Sequence, residues 1–334
     1  MENHELLMKY LKQSVSENLS EAAQAKQMFC KAAEVPIRKG IFDGPVLFDK
    51  VFNKISTPDD PSPRFPIHFL TPGSENEFAA YTVPQCGAIP YRTVSGEDIY
   101  IHTYRIANSI DACNHYIISA RWDVMQDMLE AYKAGFTYKL NKDAGHILMK
   151  AGTERGIVVA DNQASEGQFT MRLMNLLITA MARNGGGNST SMGGFRLTDL
   201  LISLEAMNDI RSWNTDQVDE YTRREIFTNN GMLRFHNVNL HVLYELGVGQ
   251  ELQEFAEDTL NISMPVNGGD NHTDVELCVG LDLSKRNTFV MPVSQEMNMS
   301  QDPYLDRMGR WGVYGDMEIG FGVLDARAVM LGSY

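Results

Sequence analysis

The chain has 334 residues, of which 43% are apolar and 22% are charged, and it carries a formal net charge of −14. This length predicts more than one domain, and the acidic balance disfavours tight binding to the phosphates of DNA or RNA. The sequence contains no apolar run of the roughly 18 residues that a membrane-spanning helix needs, and its first residues lack the pattern of a secretory signal. The four cysteines form no CxxC pair, which predicts reduced thiols in a cytosol.

The first predicted element is an amphipathic helix over residues 4–34. A leucine or valine recurs at every fourth position from Leu7 to Leu19, and no glycine or proline occurs before Pro36. A single terminal helix has little of its own to pack against. We therefore expect its apolar face to lie on another surface of this chain or of a neighbouring copy.

Residues 56–118 have a different character. Short runs of β-type residues alternate with turn signals, and prolines lie in or beside the runs at Pro66, Pro84 and Pro90. Prolines of this kind are typical of edge strands. The segment is predicted to be a long, poorly buried hairpin, which a compact domain rarely keeps unless the hairpin reaches a partner.

The strongest helical pattern runs from Ala120 to Ala151. Apolar residues recur there at steps of three and four, Ser119 is a suitable N-cap and Gly152 a suitable stop. The predicted core positions are Trp122, Met125, Leu129, Tyr132, Phe136, Leu140, Ala144, Ile147 or Leu148, and Ala151. At 1.5 Å per residue, this helix would be roughly 45–50 Å long.

Helices and strands mix in the rest of the chain. A second helix is predicted within residues 167–186, followed by a strand within 195–203 and a short helix capped by Ser203. An alternating strand is predicted at 276–283, and strands continue from residue 288. The closing stretch, 312–331, has period-two apolar positions punctuated by glycines, namely Val313, Met317, Ile319, Phe321 and Val323.

No motif of a known catalytic, nucleotide-binding or metal-binding type occurs. The glycine-rich stretch 184–194 lacks a P-loop lysine, and the polar stretch 267–274, with Asp270, Asn271 and Asp274, is typical of a surface turn. His236 and His241 are five residues apart, which suits neither one helix face nor one strand face. We therefore predict no catalytic residues, no cofactor and no metal site.

The order of these elements along the chain resembles that of a known protein family. "YTVPQCGAIPYRTVSGEDIYIHTYRIAN", "SARWDVMQDMLEAYKAGFTYKLNKDAGHILMKA", "RLTDLLISLEAMNDIR" and "GRWGVYGDMEIGFGVLDARAVMLG" follow one another along the chain. In this order they resemble the E-loop, spine helix, axial-domain strand and helix, and closing strands of the major capsid proteins of tailed bacteriophages, the Hong Kong 97 capsid fold. The resemblance covers nearly the whole chain.

The resemblance implies an α+β fold with an N-terminal arm, an extended E-loop hairpin, a long spine helix in a peripheral domain and an inserted axial domain. The implied divisions are an arm at 1–40, the E-loop and the start of the peripheral domain at 41–118, the spine helix at 119–154, the axial domain at 155–280 and return strands of the peripheral domain at 281–334. The odd-numbered residues of the closing strand would face the spine helix, and its glycines would permit close approach of the backbone.

The function implied by the resemblance is structural. Copies of the chain would form pentamers and hexamers of an icosahedral shell around double-stranded DNA, assembled in the host cytoplasm and retained in the virion. Partners would be further copies of the chain, scaffolding, portal and cement or decoration proteins, and DNA only by weak or indirect contact, with no membrane. Because little chain precedes the hairpin, a separate scaffolding protein is expected.

Two other readings stay open. One is an encapsulin-like bacterial nanocompartment shell of the same fold, against which the helical arm argues. The other is an acidic cytosolic enzyme without a recognisable motif, for which the proline-bearing hairpin and the very long helix are awkward.

Residues of the arm and hairpin are the candidates for contacts between subunits. Two are apolar residues of the arm, and the others are charged residues of the hairpin region that could form ion pairs with a neighbour. The set is Leu7, Leu11, Arg64, Glu75, Glu77, Arg92, Glu97 and Asp98.

The sequence also predicts that no covalent cross-link from the E-loop joins the subunits. Some members of the family weld subunits by a lysine–asparagine isopeptide bond from the E-loop, but this chain has no lysine between Lys54 and Lys133. Particles boiled in detergent should therefore give a single subunit band on a denaturing gel. A ladder of covalent multimers would contradict this prediction.

Overall fold

The computed structural model describes residues 7, 9–10, 13–14, 19–42, 47–58, 60–66, 98–113, 122–164, 167–184, 194–213, 233–262, 275–284, 287–302, 305 and 310–334. Its α-helices are α1 (Leu19–Phe42), α2 (Leu47–Val51), α3 (Trp122–Thr153), α4 (Met171–Asn184), α5 (Leu204–Ser212) and α6 (Glu251–Glu254), which continues as a π-helical turn at Phe255–Thr259. Its strands are β1 (Asn53–Ser56), β2 (Arg64–Pro66), β3 (Asp98–Tyr100), β4 (Tyr104–Cys113), β5 (Val158–Ala160), β6 (Asp199–Ile202), β7 (Leu233–Phe235), β8 (Val238–Val242), β9 (Leu277–Leu281), β10 (Phe289–Gln301), β11 (Arg310–Ile319), β12 (Gly322–Val323) and β13 (Val329–Ser333).

The chain divides into two compact units. The first contains residues 1–64, 100–144 and 290–322, and the second contains residues 65–99, 145–289 and 323–334. Each unit is built from segments that lie far apart in the sequence. The mixed α+β content agrees with the class predicted from the sequence.

The first unit is organised around a sheet with the strand order β1-β10-β11-β4. β4 and β11 pair antiparallel over ten residues, from Tyr104 opposite Ile319 to Cys113 opposite Arg310. β1 runs parallel to β10 at the other side of the sheet. β4 is thus a strand at the end of the sheet order.

Helix α3 is the predicted long helix and is confirmed almost residue for residue. Its buried side chains recur with a helical period and match the predicted positions from Tyr132 onward, although Met128 is buried where the sequence predicts Leu129. The side chains of the first two predicted positions, Trp122 and Met125, lie outside the described part of the helix. The buried set is Met128, Tyr132, Phe136, Leu140, Ala144, Leu148, Met149 and Ala151.

Helix α1 differs from the predicted helix at its carboxyl end. The prediction ends near residue 34, but α1 continues through Pro36 to Phe42. Ile37 and Ile41 are buried and extend a stripe of buried residues that begins at Ala25, so packing of this face offsets the hydrogen bond that proline removes. Most of the predicted first half, residues 4–18, lies outside the described residues.

Strand β11 packs its odd-numbered face under helices of the first unit. Val313, Met317 and Ile319 are each 1% exposed. Gly315, on the same face, meets the Tyr132 hydroxyl of α3, and Trp311 contacts Phe29 of α1 edge to face with ring centroids 5.0 Å apart. The expected approach of this strand to the long helix is confirmed at Gly315.

The second unit contains a six-stranded sheet with the order β5-β13-β9-β6-β8-β7. β5 is parallel to β13, β8 is parallel to β6, and β9 is antiparallel to both β13 and β6. β5, β13, β6 and β8 therefore share one direction, and their amino ends lie together at one edge of the sheet. α4 packs on this sheet through buried residues that include Leu177, which touches β13 at Gly332.

The closing segment departs from its predicted placement. The sequence predicts that residues 312–331 return to one domain as a strand pair, whereas β11 belongs to the first unit and β13 to the second. Between them, the Asp325 side chain caps a 3₁₀ turn, and β13 then fills the position between β5 and β9 with all five residues buried. Burial of a complete central strand accounts for this division.

The Gly315 contact yields a stability prediction. A Cβ at this position would overlap the Tyr132 hydroxyl and lie 3.1 Å from the Asn298 carbonyl oxygen. Gly315→Ala should lower the free energy of unfolding by about 1–3 kcal/mol, measured by urea denaturation. Because Tyr132→Phe removes the overlapping oxygen, the double variant should recover part of that loss; strictly additive losses would contradict the proposed clash.

Candidate functional site

A cluster of three buried polar side chains lies in the second unit. The Glu276 carboxylate accepts hydrogen bonds from Ser203 Oγ at 2.6 Å and from Tyr334 Oη at 2.8 Å. Ser203 also caps α5, where its oxygen accepts from the Ala206 N–H at 3.0 Å, as the sequence predicts for this residue. The main chains of Glu276 and Tyr334 exchange two further hydrogen bonds, which fix the segments before β9 and after β13 together.

The surroundings of this cluster favour uncharged side chains. Burial raises the pKa of Glu276, the hydrogen bonds from Ser203 and Tyr334 oppose that effect, and the negative charges of Glu205 and Asp209 add to it. Burial likewise raises the pKa of the Tyr334 hydroxyl. A carboxyl group held between a serine and a tyrosine without a histidine or a cation suits a structural latch better than a nucleophile–base pair.

A second polar cluster joins β6 to β8. His241 Nε2 lies 2.9 Å from Asp199 Oδ1, and Asn239 donates to the same oxygen at 3.0 Å. Burial raises the pKa of Asp199, but hydrogen bonds from His241, Thr198 and Asn239 together lower it below its usual value. These contacts tie neighbouring parallel strands together.

The described part of the chain has few side chains placed suitably for metal binding. Among those residues, no group of three or more His, Cys, Asp or Glu side chains could hold a metal ion. His241 is engaged by Asp199, and His236 lies in the turn between β7 and β8 with a positive φ of 47°. The polar stretch with Asp270, Asn271 and Asp274, and residues 185–193 of the glycine-rich stretch, lie outside the described residues.

The described cysteines are free thiols. Burial raises the pKa of Cys30 to about 11 and that of Cys278 to about 12, so both stay protonated at neutral pH. Cys113 is exposed on β4. Cys86 lies outside the described residues.

The solvent side of the β4–β11 pair is an open polar surface in the first unit. Arg105 bonds Asp316 at 2.8 Å and Arg310 bonds Asp111 at 3.0 Å, each across the two strands. Tyr314 stands between these ion pairs and is 40% exposed. The surface offers charges, a tyrosine and small side chains in a flat array.

Large apolar side chains are also exposed on other elements of the first unit. Met28 and Val35 lie seven residues apart, on one face of α1, and are 51% and 43% exposed. Tyr138 of α3 is 56% exposed and Tyr100 of β3 is 50% exposed. Single exposed apolar residues are ordinary, but two on one helical face opposite its buried stripe favour a role in contact with another surface.

The contact residues predicted from the sequence fall into two groups. Leu7 is buried, the Arg64 guanidinium lies 5.2 Å from the centroid of the Tyr100 ring, and Asp98 is exposed at the start of β3. Leu11, Glu75, Glu77, Arg92 and Glu97 lie outside the described residues. A role of these eight residues between subunits stays a prediction.

Sequence reasoning missed Tyr314 and the ion pairs of the open β4–β11 surface. The usable sequence signal was the apolar residues at the even-numbered positions Ile106, Ile110 and Ala112, which the structure shows buried or half-buried between more exposed neighbours. The identity of the partner strand could not be read from that alternation. Without knowing the partner strand, the pairing of Arg105 with Asp316 could not be predicted.

Comparisons place this fold among known structures. No protein-family model matches the chain, and no curated protein matches its sequence. Solved structures do match. The match to the acid-stable capsid of Helicobacter pylori bacteriophage KHP30 has 12% identity and a TM-score of 0.58, and it covers 87% of this chain and 91% of the capsid chain. The capsid of the cyanophage P-SCSP1u matches with 11% identity and a TM-score of 0.56, over 86% of this chain and 87% of the capsid chain. The capsid of an empty GTA particle matches with 11% identity and a TM-score of 0.56, over 87% of this chain and 90% of the capsid chain.

The chain therefore has the fold of the subunits in solved phage capsids. This confirms, at the level of the fold, the resemblance to phage capsid proteins inferred from the sequence. No described helix is both long and apolar enough to cross a membrane.

The Glu276 cluster yields a pH prediction. Because the folded-state pKa of Glu276 is raised, the folded protein binds this proton more tightly than the unfolded chain, and the cost of ionising Glu276 lowers stability as pH rises above about 4.5. Glu276→Gln should flatten this part of the pH dependence, measured by chemical denaturation between about pH 4.5 and 8. An unchanged pH profile would show that Glu276 titrates normally, and Glu257→Gln, at an exposed glutamate, serves as the control.

Proposed function

We propose that this chain is the major capsid protein of a tailed bacteriophage and that its copies assemble into an icosahedral shell. The supporting observation is the extent of the likeness to capsid subunits: it covers 86–87% of this chain and 87–91% of each of the three capsid chains compared. A likeness over the length of both chains concerns the whole subunit and not one shared motif.

The proposal assigns a role to each predicted division. Residues 1–40 are the arm, 41–118 include the E-loop, 119–154 form the spine helix and 155–280 form the axial domain. Of the last division, 281–334, β10 and β11 return to the peripheral domain, whereas β13 completes the sheet of the axial domain. The 32-residue helix α3 supports the spine-helix assignment. Copies associate as pentamers and hexamers through the axial domain, and the arm and E-loop connect neighbouring subunits.

The exposed apolar side chains of the first unit support assembly. Met28 and Val35 of α1, Tyr138 of α3 and Tyr314 of β11 remain accessible in the single chain. Each would contribute little by itself, but a shell repeats every contact many times. Multivalency turns such weak contacts into a stable closed particle.

The remaining elements of the proposal concern partners and place. The subunit acts through assembly without catalysis, and it works with scaffolding, portal and cement proteins in the host cytoplasm before it is retained in the virion. The net charge of −14 favours weak contact with the enclosed double-stranded DNA, because like charges repel.

Assembly is the first test. The purified chain, alone and co-expressed with the neighbouring structural genes of its source, is analysed by sedimentation and negative-stain microscopy. Closed particles or rings of five and six subunits are the expected result. A soluble monomer under both conditions contradicts the proposal.

A deletion separates shell assembly from folding. Replacing residues 67–97 by a short Gly-Ser linker should abolish closed particles, because the proposed E-loop is removed, while the thermal unfolding of the subunit persists. Double-stranded DNA in particles from infected cells supports the phage assignment. Enzyme cargo with no DNA would indicate an encapsulin-like compartment.

A further inference from the structure

The second unit is electrically polar along its strands. β5, β13, β6 and β8 run in the same direction, so residues preceding these strands lie at one edge of the sheet and residues following them at the opposite edge. At about 3.3 Å per residue, strands of three to five residues separate the two edges by roughly 10–17 Å.

Arginines collect at the amino edge. Arg155 precedes β5, Arg196 precedes β6 and Arg327 precedes β13. Arg155 and Arg327 lie at the end of α4: Arg155 Nη1 lies 3.5 Å from the Asn184 carbonyl oxygen, and Asn184 Nδ2 donates to the Arg327 carbonyl at 2.7 Å. The Arg327 guanidinium is paired with Asp325 at 2.9 Å, so the positive charge offered to a partner comes from Arg155 and Arg196. Arg155 and Arg196 are exposed, and Ile157, also exposed, adds an apolar side chain to this amino edge.

The carboxyl edge is mainly acidic, although Arg172 pairs there with Asp161, the residue after β5, at 3.5 Å. Residues 243–262 contain five acidic residues and no lysine or arginine. The Leu243 N–H bonds the Ile202 carbonyl at 2.9 Å, which brings the residues after β8 beside those after β6, including the exposed Glu205. The turn is held close to α5 by Gly247, whose φ of 126° suits glycine and whose Cα faces the Glu205 carboxylate.

An exposed apolar patch lies within this acidic edge. Its members are Tyr244, 72% exposed, Val248, 46% exposed, and Leu204, 42% exposed. An apolar patch with an acidic surround fits a partner that offers both cations and an apolar side chain. Arginine is well suited to that role, since its guanidinium bonds carboxylates in pairs and stacks on tyrosine rings.

We propose that the carboxyl edge of one copy docks on the amino edge of a second copy, so that the acidic residues and Tyr244 meet Arg155, Arg196 and Ile157. A contact of two carboxyl edges would bring like charges together and is disfavoured. The contact is therefore heterologous, and a heterologous contact between identical copies closes into a ring or extends as a chain. This inference deepens the proposed function, on which it rests, by naming the two surfaces that meet.

Two exposed glutamates provide a matched pair of variants. Glu205→Lys places a cation in the acidic edge and should weaken self-association by about tenfold. Glu154→Lys is the same chemical change at the exposed residue beside Arg155, and it should leave association unchanged or strengthen it. Sedimentation velocity over a range of protein concentrations at low and high salt measures both, and high salt should weaken the wild type as well.

Charge exchange gives the decisive comparison. Arg196→Glu alone should weaken association as Glu205→Lys does, and the chain carrying both substitutions should recover it. Equal losses for Glu205→Lys and Glu154→Lys, a wild type that stays monomeric at low salt, or the absence of recovery in the double variant would each overturn the inference. The inference would also be overturned if the wild type retained nucleic acid and Arg196→Glu lost it while self-association stayed unchanged. That result would indicate that the amino edge binds nucleic-acid phosphates.

These outcomes are separate from the assembly test. If both single variants form normal closed particles, the two-edge contact is contradicted and the proposed shell function is unaffected. If association depends on salt and recovers on charge exchange, but no closed particles form under any condition, the two-edge contact would be supported and the shell function contradicted. Thermal unfolding of each variant shows that a loss of association is not a loss of folding.

Discussion

The first unit depends on the close contact between α3 and β11. Tyr132 meets the strand at Gly315, where the missing side chain leaves room for its hydroxyl, which also lies 3.4 Å from the Asn108 carbonyl oxygen of β4. A larger residue at 315 would hold the helix away from the sheet. Dispersion and apolar burial fall steeply with such a gap, and the buried stripe of α3 would lose its partner surface.

Elements whose signal is local were predictable from the sequence. The periodicity of α3 and the Ser203 cap are set by neighbours within a few residues, and the structure confirms both. The end of α1 was not predictable because local chemistry argues for a stop at Pro36, whereas burial of Ile37 and Ile41 decides the outcome. That burial exists only once the strands under the helix are in place.

The candidate surfaces lay beyond sequence reasoning for a similar reason. Ser203, Glu276 and Tyr334 are separated by 73 and 58 residues, and no spacing rule joins them. The charge polarity of the second sheet could likewise not be predicted from the sequence, because Arg155, Arg196 and Arg327 lie far apart along the chain. Strand direction sorts them: a residue before a parallel strand and one after it go to opposite edges.

Both units are completed by the last part of the chain. β11 supplies the partner of β4, about two hundred residues earlier, and β13 supplies the strand between β5 and β9. Contacts of such sequence separation form late and slowly, so a chain still emerging from the ribosome exposes unpaired strand edges in both units. Neither sheet can close before residues 310–333 have been synthesised, and a chain that stops before them keeps the unpaired strand edges that favour aggregation.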